Sequence, residues 1–228
     1  MLTPFLPLLA PPLPPPPCRC CTNGFCLLNN VVLGATHARL RWGLRRVAVV
    51  DIDVHFGNGT AELLAEDEEA FFASVHMRSH DFFPVGIGAD ADTPRYVSVG
   101  LPPCKEGEAA VGGVGIGGVK GGGDGGSGAG GGSGVGDGGG GGNGGGGRAL
   151  SKGSERFRAA LAQRILPRLR AFCPDVIFVS TGFDGVWSDP LGGQLQLCED
   201  DFRWAAKELV LAAESLCGGR LVSVLEGG

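Results

Sequence analysis

Four short, nearly continuous apolar runs constrain the fold of this chain more than any other feature of its sequence. The runs are VAVVDIDV (47–54), AFFASVH (70–76), VIFVST (176–181) and LVSVL (221–225), and they are rich in β-branched residues. Runs of this kind, without regular polar alternation, are typical of strands that are covered on both faces. The sequence therefore predicts a parallel sheet with helices packed on both of its faces.

Helical patterns separate the predicted strands. The first follows an asparagine and ends at Gly43. The second, SERFRAALAQRILPRLRAF, begins with Ser154 as its expected N-cap, and the third begins with acidic residues and ends at Gly218. Acidic residues at a helix start and glycine at its end suit the helix dipole and the left-handed cap. Strands that alternate with helices predict an α/β fold of three layers with right-handed crossovers.

Two segments differ in composition from the rest of the chain. Residues 1–17 are rich in proline and carry no basic residue, so we interpret them as a disordered leader rather than a signal sequence. Residues 112–147 hold most of the 43 glycines without a Gly-X-Y period, which predicts a disordered insertion in a surface connection. The folded domain is therefore expected within residues 18–228.

Charge and cysteine content limit the partners and the compartment. The net charge of -5 argues against a broad basic surface, so we expect no direct binding to nucleic acid. No stretch reaches the roughly 18 apolar residues that a membrane span requires. The eight cysteines lie far apart or cluster without nearby histidines, which favours free thiols. These features predict an intracellular protein of the nucleus or the cytoplasm.

Polar residues follow the predicted strands at their carboxyl ends, where α/β sheets bind ligands. Asp51, Asp53 and His55 occupy alternate positions at the end of the first run, and Asp184 follows the third. Alternation along a strand would place the first three side chains on one side. Buried neighbouring carboxylates need a cation or strong hydrogen bonds, and one imidazole with carboxylate oxygens suits zinc. The pattern predicts a divalent metal site with Asp184 as the third ligand.

Two other interpretations of these residues stay open. Asp51 could cap the following turn, His55 could be an ordinary loop histidine, and Asp184 could bind backbone amides. A hydrophobic strand that ends in Asp-x-Asp is also similar to the nucleophile motif of haloacid-dehalogenase-type magnesium phosphatases. That family has threonine or valine where this chain has His55, and its later lysine and acidic pair have no convincing match.

The motifs taken in order resemble those of zinc-dependent histone deacetylases, class II-like members of the arginase/deacetylase superfamily. The matching segments are GFCLLNN (24–30), VDIDVHFGNGT (50–60), FFASVHM (71–77), FFPVGIG (82–88), LPP (101–103), PDVIFVSTGFDGVWSDPLGG (174–193) and LVSVLEGG (221–228). The resemblance implies hydrolysis of the acetyl amide of acetyl-lysine, in histones or other proteins, or of a related acetylated small amine. It also implies a role in chromatin regulation.

The resemblance assigns roles to individual residues. It implies that Asp53, His55 and Asp184 hold one zinc ion and that Asp51 orients a catalytic histidine from outside the ligand set. Ser74 matches a position near a structural monovalent cation in some relatives. The residues that would line a tunnel for the acyl-lysine side chain are Gly24, Phe25, Phe83 and Leu191.

The sequence departs from the family pattern in three places. No His-His pair precedes GFC, the chain stops at Gly228 where the family continues with a tyrosine, and Phe56 stands where relatives repeat histidine. The pair would supply the general base and the tyrosine would stabilise the oxyanion. We therefore identify no catalytic residue and expect a partial domain, incomplete at both ends. The alternative is a non-catalytic zinc-binding interaction protein.

Overall fold

A computed structural model describes residues 28–85, 89–105, 108 and 150–227 of the chain. The predicted leader, the cysteines near it and the glycine-rich insertion lie outside the described residues. Strands within the described part are β1 (Val47–Asp51), β2 (Ala70–Met77), β3 (Ala91–Asp92), β4 (Tyr96–Leu101), β5 (Val176–Thr181) and β6 (Leu221–Leu225). They form one sheet in the order β3-β4-β2-β1-β5-β6. Neighbours pair in parallel except β3 and β4, so the predicted parallel sheet is confirmed.

Helices connect these strands. In the described part of the chain they are α1 (Asn30–Trp42), α2 (Asn58–Leu64), α3 (Lys152–Ala159), α4 (Leu166–Phe172) and α5 (Glu199–Cys217). A π-helical segment, Ala160–Ile165, joins α3 to α4 without a break. Helix α1 ends at Gly43 and α5 at Gly218, both in the left-handed conformation, as the sequence predicts. None of the helices described is long and apolar enough to cross a bilayer.

Two apolar layers lie on opposite faces of the sheet. One layer contains the side chains of α3, α4 and α5, and the other contains those of α1 and α2. Because successive side chains of a strand point to opposite faces, Phe71 enters the first layer and Phe72 the second. The predicted arrangement of helices on both faces is therefore confirmed.

The end of β1 and the strands β3, β4 and β6 differ from the prediction. Strand β1 ends at Asp51 and does not continue to residue 54. Strand β6 is not covered on both faces, since it lies at the end of the described sheet and Val222 and Leu225 are exposed. The sequence also did not predict β3 and β4, whose residues carry polar side chains and a proline between them.

The N-cap of α3 is Ser151, so the prediction of Ser154 is wrong. The Ser151 hydroxyl oxygen accepts a hydrogen bond from the Ser154 amide at 2.9 Å and donates one to the Gln196 carbonyl at 2.7 Å. Ser154 lies within the first helical turn, and its hydroxyl donates to Asp201 at 2.6 Å. The local sequence allows either serine to be the N-cap. The contacts with Gln196 and Asp201 determine that Ser151 caps the helix and that Ser154 lies inside it.

Replacing Ser151 with alanine is expected to lower the free energy of unfolding by about 1–2 kcal/mol, because one cap bond and one loop bond are lost. Urea denaturation followed by circular dichroism would measure the change. Ser215→Ala is the matched control, since that hydroxyl bonds to Ala212 within its own helix, and a change within about 0.5 kcal/mol is expected. Equal losses in both variants would contradict the cap assignment.

Candidate metal centre

The carboxyl ends of β1 and β5 bring the predicted ligands to one edge of the sheet. The two strands are parallel neighbours, and Asp51 is paired with Ser180. The Ile52 amide donates to the Ser180 carbonyl at 3.0 Å, which extends this contact one residue beyond β1. Asp53 and Asp184 therefore belong to two short segments that leave the sheet side by side.

Hydrogen bonds from backbone amides to carboxylates shape the turn after β1. Asp51 Oδ1 accepts from the Asp53 amide at 3.1 Å, and Asp53 Oδ1 accepts from the His55 amide at 2.7 Å. Asp184 Oδ1 accepts from the Val54 amide at 3.2 Å. Strand β1 ends before Asp53, so the alternation of side chains along a strand does not explain where the Asp53 and His55 side chains lie. These hydrogen bonds position them instead. The capping role of Asp51 and the amide-binding role of Asp184 thus coexist with the cluster described next.

Asp53, His55 and Asp184 form a compact cluster of donor atoms. His55 Nδ1 lies 3.0 Å from Asp53 Oδ1 and 3.0 Å from Asp184 Oδ2. One potential ligand atom from each residue lies within 4.8 Å of the other two. Zinc bonds to nitrogen and oxygen are about 2.0–2.2 Å long, so a single ion could reach all three atoms. The assignment of these residues as ligands stays a prediction that this geometry permits.

The electrostatics of the cluster favour bound positive charge. Burial lowers the pKa of His55, but hydrogen bonds to Asp184 and Asp53 and their negative charges outweigh it and raise the pKa to about 9. Asp51 is 3% exposed, and burial followed by the charge of Asp53 raises its pKa well above the usual carboxyl range. Neighbouring carboxylates that are partly or fully buried are stabilised either by a proton on the imidazole of His55 or by a bound metal ion.

Two glycines allow the acidic side chains to lie against the backbone. A Cβ atom at Gly182 would stand 1.8 Å from Asp53 Oδ2, and one at Gly57 would stand 2.1 Å from Asp51 Oδ2. Any larger residue at either position would displace a carboxylate of the centre. The glycine turn and the Gly-Phe-Asp segment are visible in the sequence, but the sequence reasoning missed these contacts, which join residues distant along the chain.

Aromatic and apolar side chains border the cluster on one side. The Phe82 ring stacks on the His55 imidazole with centroids 4.7 Å apart, and the exposed Phe83 ring lies at 6.2 Å. Leu191, in the loop after β5, is 68% exposed. Gly24 and Phe25 lie outside the described residues, so the tunnel assignment stays a prediction. The sequence reasoning missed Phe82, although the FFP motif that contains it was a signal.

Ser74 and Phe56 are buried residues that both contact His76. Ser74 is fully buried, pairs with Asp51 across the sheet, and has its hydroxyl oxygen 3.2 Å from His76 Nδ1. Phe56 is buried in the α1/α2 layer, and its ring contacts those of Phe72 and His76. Phe56 thus serves as a core residue, and the monovalent-cation role of Ser74 stays a prediction.

Comparisons with known proteins give the family of this chain. A sequence model of the histone deacetylase domain matches residues 17–228. Type-2 histone deacetylase 2 of Dictyostelium discoideum is 36% identical, over 91% of this chain and 10% of its own length. Polyamine deacetylase HDAC10 of Homo sapiens is 32% identical, over 92% of this chain and 25% of its own length. The crystal structure of the HDA15 HD domain matches with a TM-score of 0.61 at 26% identity, over 91% of this chain.

The chain spans a minor part of each relative, from 10% of the Dictyostelium protein to 46% of the HDA15 chain. The domain match nevertheless includes both segments that carry the predicted ligands, together with every strand of the described sheet. Because that match extends over almost the whole sequence, this chain belongs to the histone deacetylase family.

Proposed function

We propose that this chain forms the zinc-binding part of a deacetylase that hydrolyses the acetyl amide of acetyl-lysine or of a related acetylated amine. The cluster of Asp53, His55 and Asp184 carries the proposal. One imidazole nitrogen with two carboxylates fits zinc, whereas magnesium prefers oxygen ligands and retains several waters. The position of the His55 ring between the two carboxylates therefore favours a zinc enzyme over the magnesium phosphatase.

The side chains around the cluster would hold the ligands in place. The His55 amide fixes the Asp53 carboxylate, and the Val54 amide fixes that of Asp184. The stacked Phe82 ring limits rotation of the imidazole and keeps water away from one of its faces. Bound zinc would supply a Lewis acid for the amide carbonyl and lower the pKa of water. Such fixed ligands favour metal affinity because little ordering is needed on binding.

Two exposed apolar side chains support an acylated aliphatic substrate. Phe83 follows Phe82 on the loop after β2, and Leu191 lies on the loop that carries Asp184. We propose that they contact the methylene groups of acetyl-lysine or of an acetylated polyamine. One relative is named a histone deacetylase and another a polyamine deacetylase, so both substrate classes need to be compared.

Metal content and acetate release together test the proposed function. We expect one zinc ion per purified chain. Release of acetate from an acetyl-lysine peptide or from an acetylated polyamine is expected only where the His-His pair and the tyrosine of the family pattern are also present, because these supply the general base and the oxyanion donor. Stoichiometric magnesium without zinc would contradict the proposal and favour the phosphatase. Zinc without acetate release from either substrate, in a longer product that carries the His-His pair and the tyrosine, would favour the non-catalytic zinc-binding interaction protein.

Zinc binding near pH 7.5 is expected to release about one proton per ion, because His55 with a pKa of about 9 must lose its proton to coordinate. The apparent affinity should therefore rise about tenfold per pH unit until the pH approaches that pKa. Titration calorimetry in buffers of different ionisation enthalpy would count the protons.

The exposed His37 of α1 provides the control for this titration. The His37→Asn variant should release the same number of protons as the unchanged chain. In the absence of zinc the raised pKa of His55 stabilises the fold below pH 6.5, and this contribution is lost as the pH rises towards 9. Zinc binding without proton release near pH 7.5 would contradict coordination by His55.

A further inference from the structure

We propose that Glu226 is a positioning residue that fixes the two segments carrying the metal ligands relative to each other. This inference rests on the proposed function of the centre. Glu226 follows β6, and its carboxylate contacts two elements that are distant in the sequence. Oε1 accepts from the Val31 amide at 3.2 Å, and Oε2 accepts from the Ser180 hydroxyl at 3.0 Å. The Glu226 amide also donates to the Thr181 carbonyl at 3.2 Å.

Ser180 connects Glu226 to the ligand segments. It lies in β5, four residues before Asp184. Its carbonyl accepts from the Ile52 amide at 3.0 Å, directly before Asp53. Ser180 thus donates to Glu226 through its hydroxyl and accepts from the Asp53 segment through its carbonyl. A displacement of Ser180 would change the spacing between the carboxylates of Asp53 and Asp184.

The second contact of Glu226 anchors the start of α1. The Val31 amide belongs to the first helical turn, where amides have no partner within the helix. Asn29 accepts from the Val32 amide at 2.8 Å, and the Glu226 carboxylate takes the neighbouring Val31 amide. Val31 is fully buried, and its bond to the partly exposed Glu226 is part-buried. A carboxylate at this end of a helix is also favoured by the helix dipole.

Glu226 does not act as a metal ligand in this arrangement. The cluster that could hold an ion among the described residues consists of Asp53, His55 and Asp184. Both oxygens of Glu226 instead accept hydrogen bonds from α1 and β5. Its influence on the centre is therefore expected to pass through these hydrogen bonds and through its charge, and the two contributions can be separated.

Three variants separate the hydrogen bonds from the charge. Glu226→Gln removes the charge but can keep both bonds, because an amide accepts through its oxygen and donates to a hydroxyl through its nitrogen. Ser180→Ala keeps the charge and removes one bond. Glu226→Ala removes the charge and both bonds. The control is Glu214→Ala, which removes the same charge from an exposed position of α5.

The zinc dissociation constant, measured by competition with a chromophoric chelator, is the main observable. Loss of a partner outside the ligand set typically weakens metal affinity by about 10–100-fold. We expect about tenfold weaker binding for Glu226→Ala, a smaller loss for Ser180→Ala, and near-normal binding for Glu226→Gln and the control. The visible spectrum of bound cobalt should shift in Ser180→Ala, because the spectrum reports the geometry of the ligands.

Each result has a distinct meaning for this proposal. If Glu226→Gln binds zinc as weakly as Glu226→Ala, the charge matters and the positioning role is wrong. A lower melting temperature with unchanged zinc affinity and cobalt spectrum would reduce Glu226 to a stabilising residue. Should Glu226→Ala fail to fold, Ser180→Ala carries the test. Failure of the unchanged chain to bind zinc would instead overturn the proposed function, and this inference with it.

Discussion

Replacing Asp184 with asparagine is expected to weaken zinc binding by more than about 100-fold, which exceeds the usual effect of losing a partner outside the ligand set. Asparagine has the same shape and can still accept the Val54 amide through its oxygen. The variant therefore loses the negative charge that faces His55 and keeps the backbone contact. Chelator competition would measure the dissociation constant, and circular dichroism would show that the sheet is retained.

Asp81→Asn is the matched control for this experiment. It makes the same chemical change at a carboxylate that is 91% exposed on the loop after β2. Zinc affinity should stay unchanged in this variant. If the Asp184→Asn chain also binds zinc normally, the role of Asp184 is limited to accepting the Val54 amide, and the ligand assignment is wrong.

The central strands could be predicted from the sequence because their environment is uniform. Strands β1, β2 and β5 are buried on both faces, so their residues are apolar or small except Asp51 and His76. Strand β4 begins with the half-buried Tyr96 and pairs with the two-residue β3. Ser98 and Gly100 interrupt its apolar residues, so it lacks the nearly continuous apolar run that marks the predicted strands. A nearly continuous apolar run thus makes a strand predictable, whether it lies inside the sheet, as β1 does, or at the end of the described sheet, as β6 does.

The clustering of Asp53, His55 and Asp184 could also be predicted, since the carboxyl ends of parallel strands converge whatever the details of the loops. The contacts that hold these side chains in place could not be predicted. Phe82 reaches His55 from the loop after β2, and Glu226 reaches Ser180 from the end of β6. These contacts depend on how loops and strand ends meet in space, which no local periodicity encodes. The prediction of the α3 cap was wrong for the same reason, because the hydroxyl of the actual cap, Ser151, donates to the distant Gln196 carbonyl.

Replacing Gly182 with alanine is expected to weaken zinc binding by at least about 100-fold, because the new Cβ would stand 1.8 Å from Asp53 Oδ2 and 2.6 Å from its Cγ. The Asp53 carboxylate would have to shift from the place where it accepts the His55 amide, and we expect this shift to disturb the cluster. Overpacking of this kind also costs about 1–3 kcal/mol of stability. Zinc competition and urea denaturation of the same preparation would measure the two effects separately.

Two further glycine-to-alanine variants show whether the effect is specific to the centre. At Gly153 the Cβ would meet the Leu195 carbonyl oxygen at 1.5 Å, so we expect about 3 kcal/mol lower stability but unchanged zinc affinity in the folded chain. At Gly59 the nearest atom is 3.9 Å away, and alanine within α2 should raise stability by about 0.5–1 kcal/mol. Normal zinc binding by the Gly182→Ala chain would show that the Asp53 carboxylate is not required where the structure places it, and would contradict its assignment as a ligand.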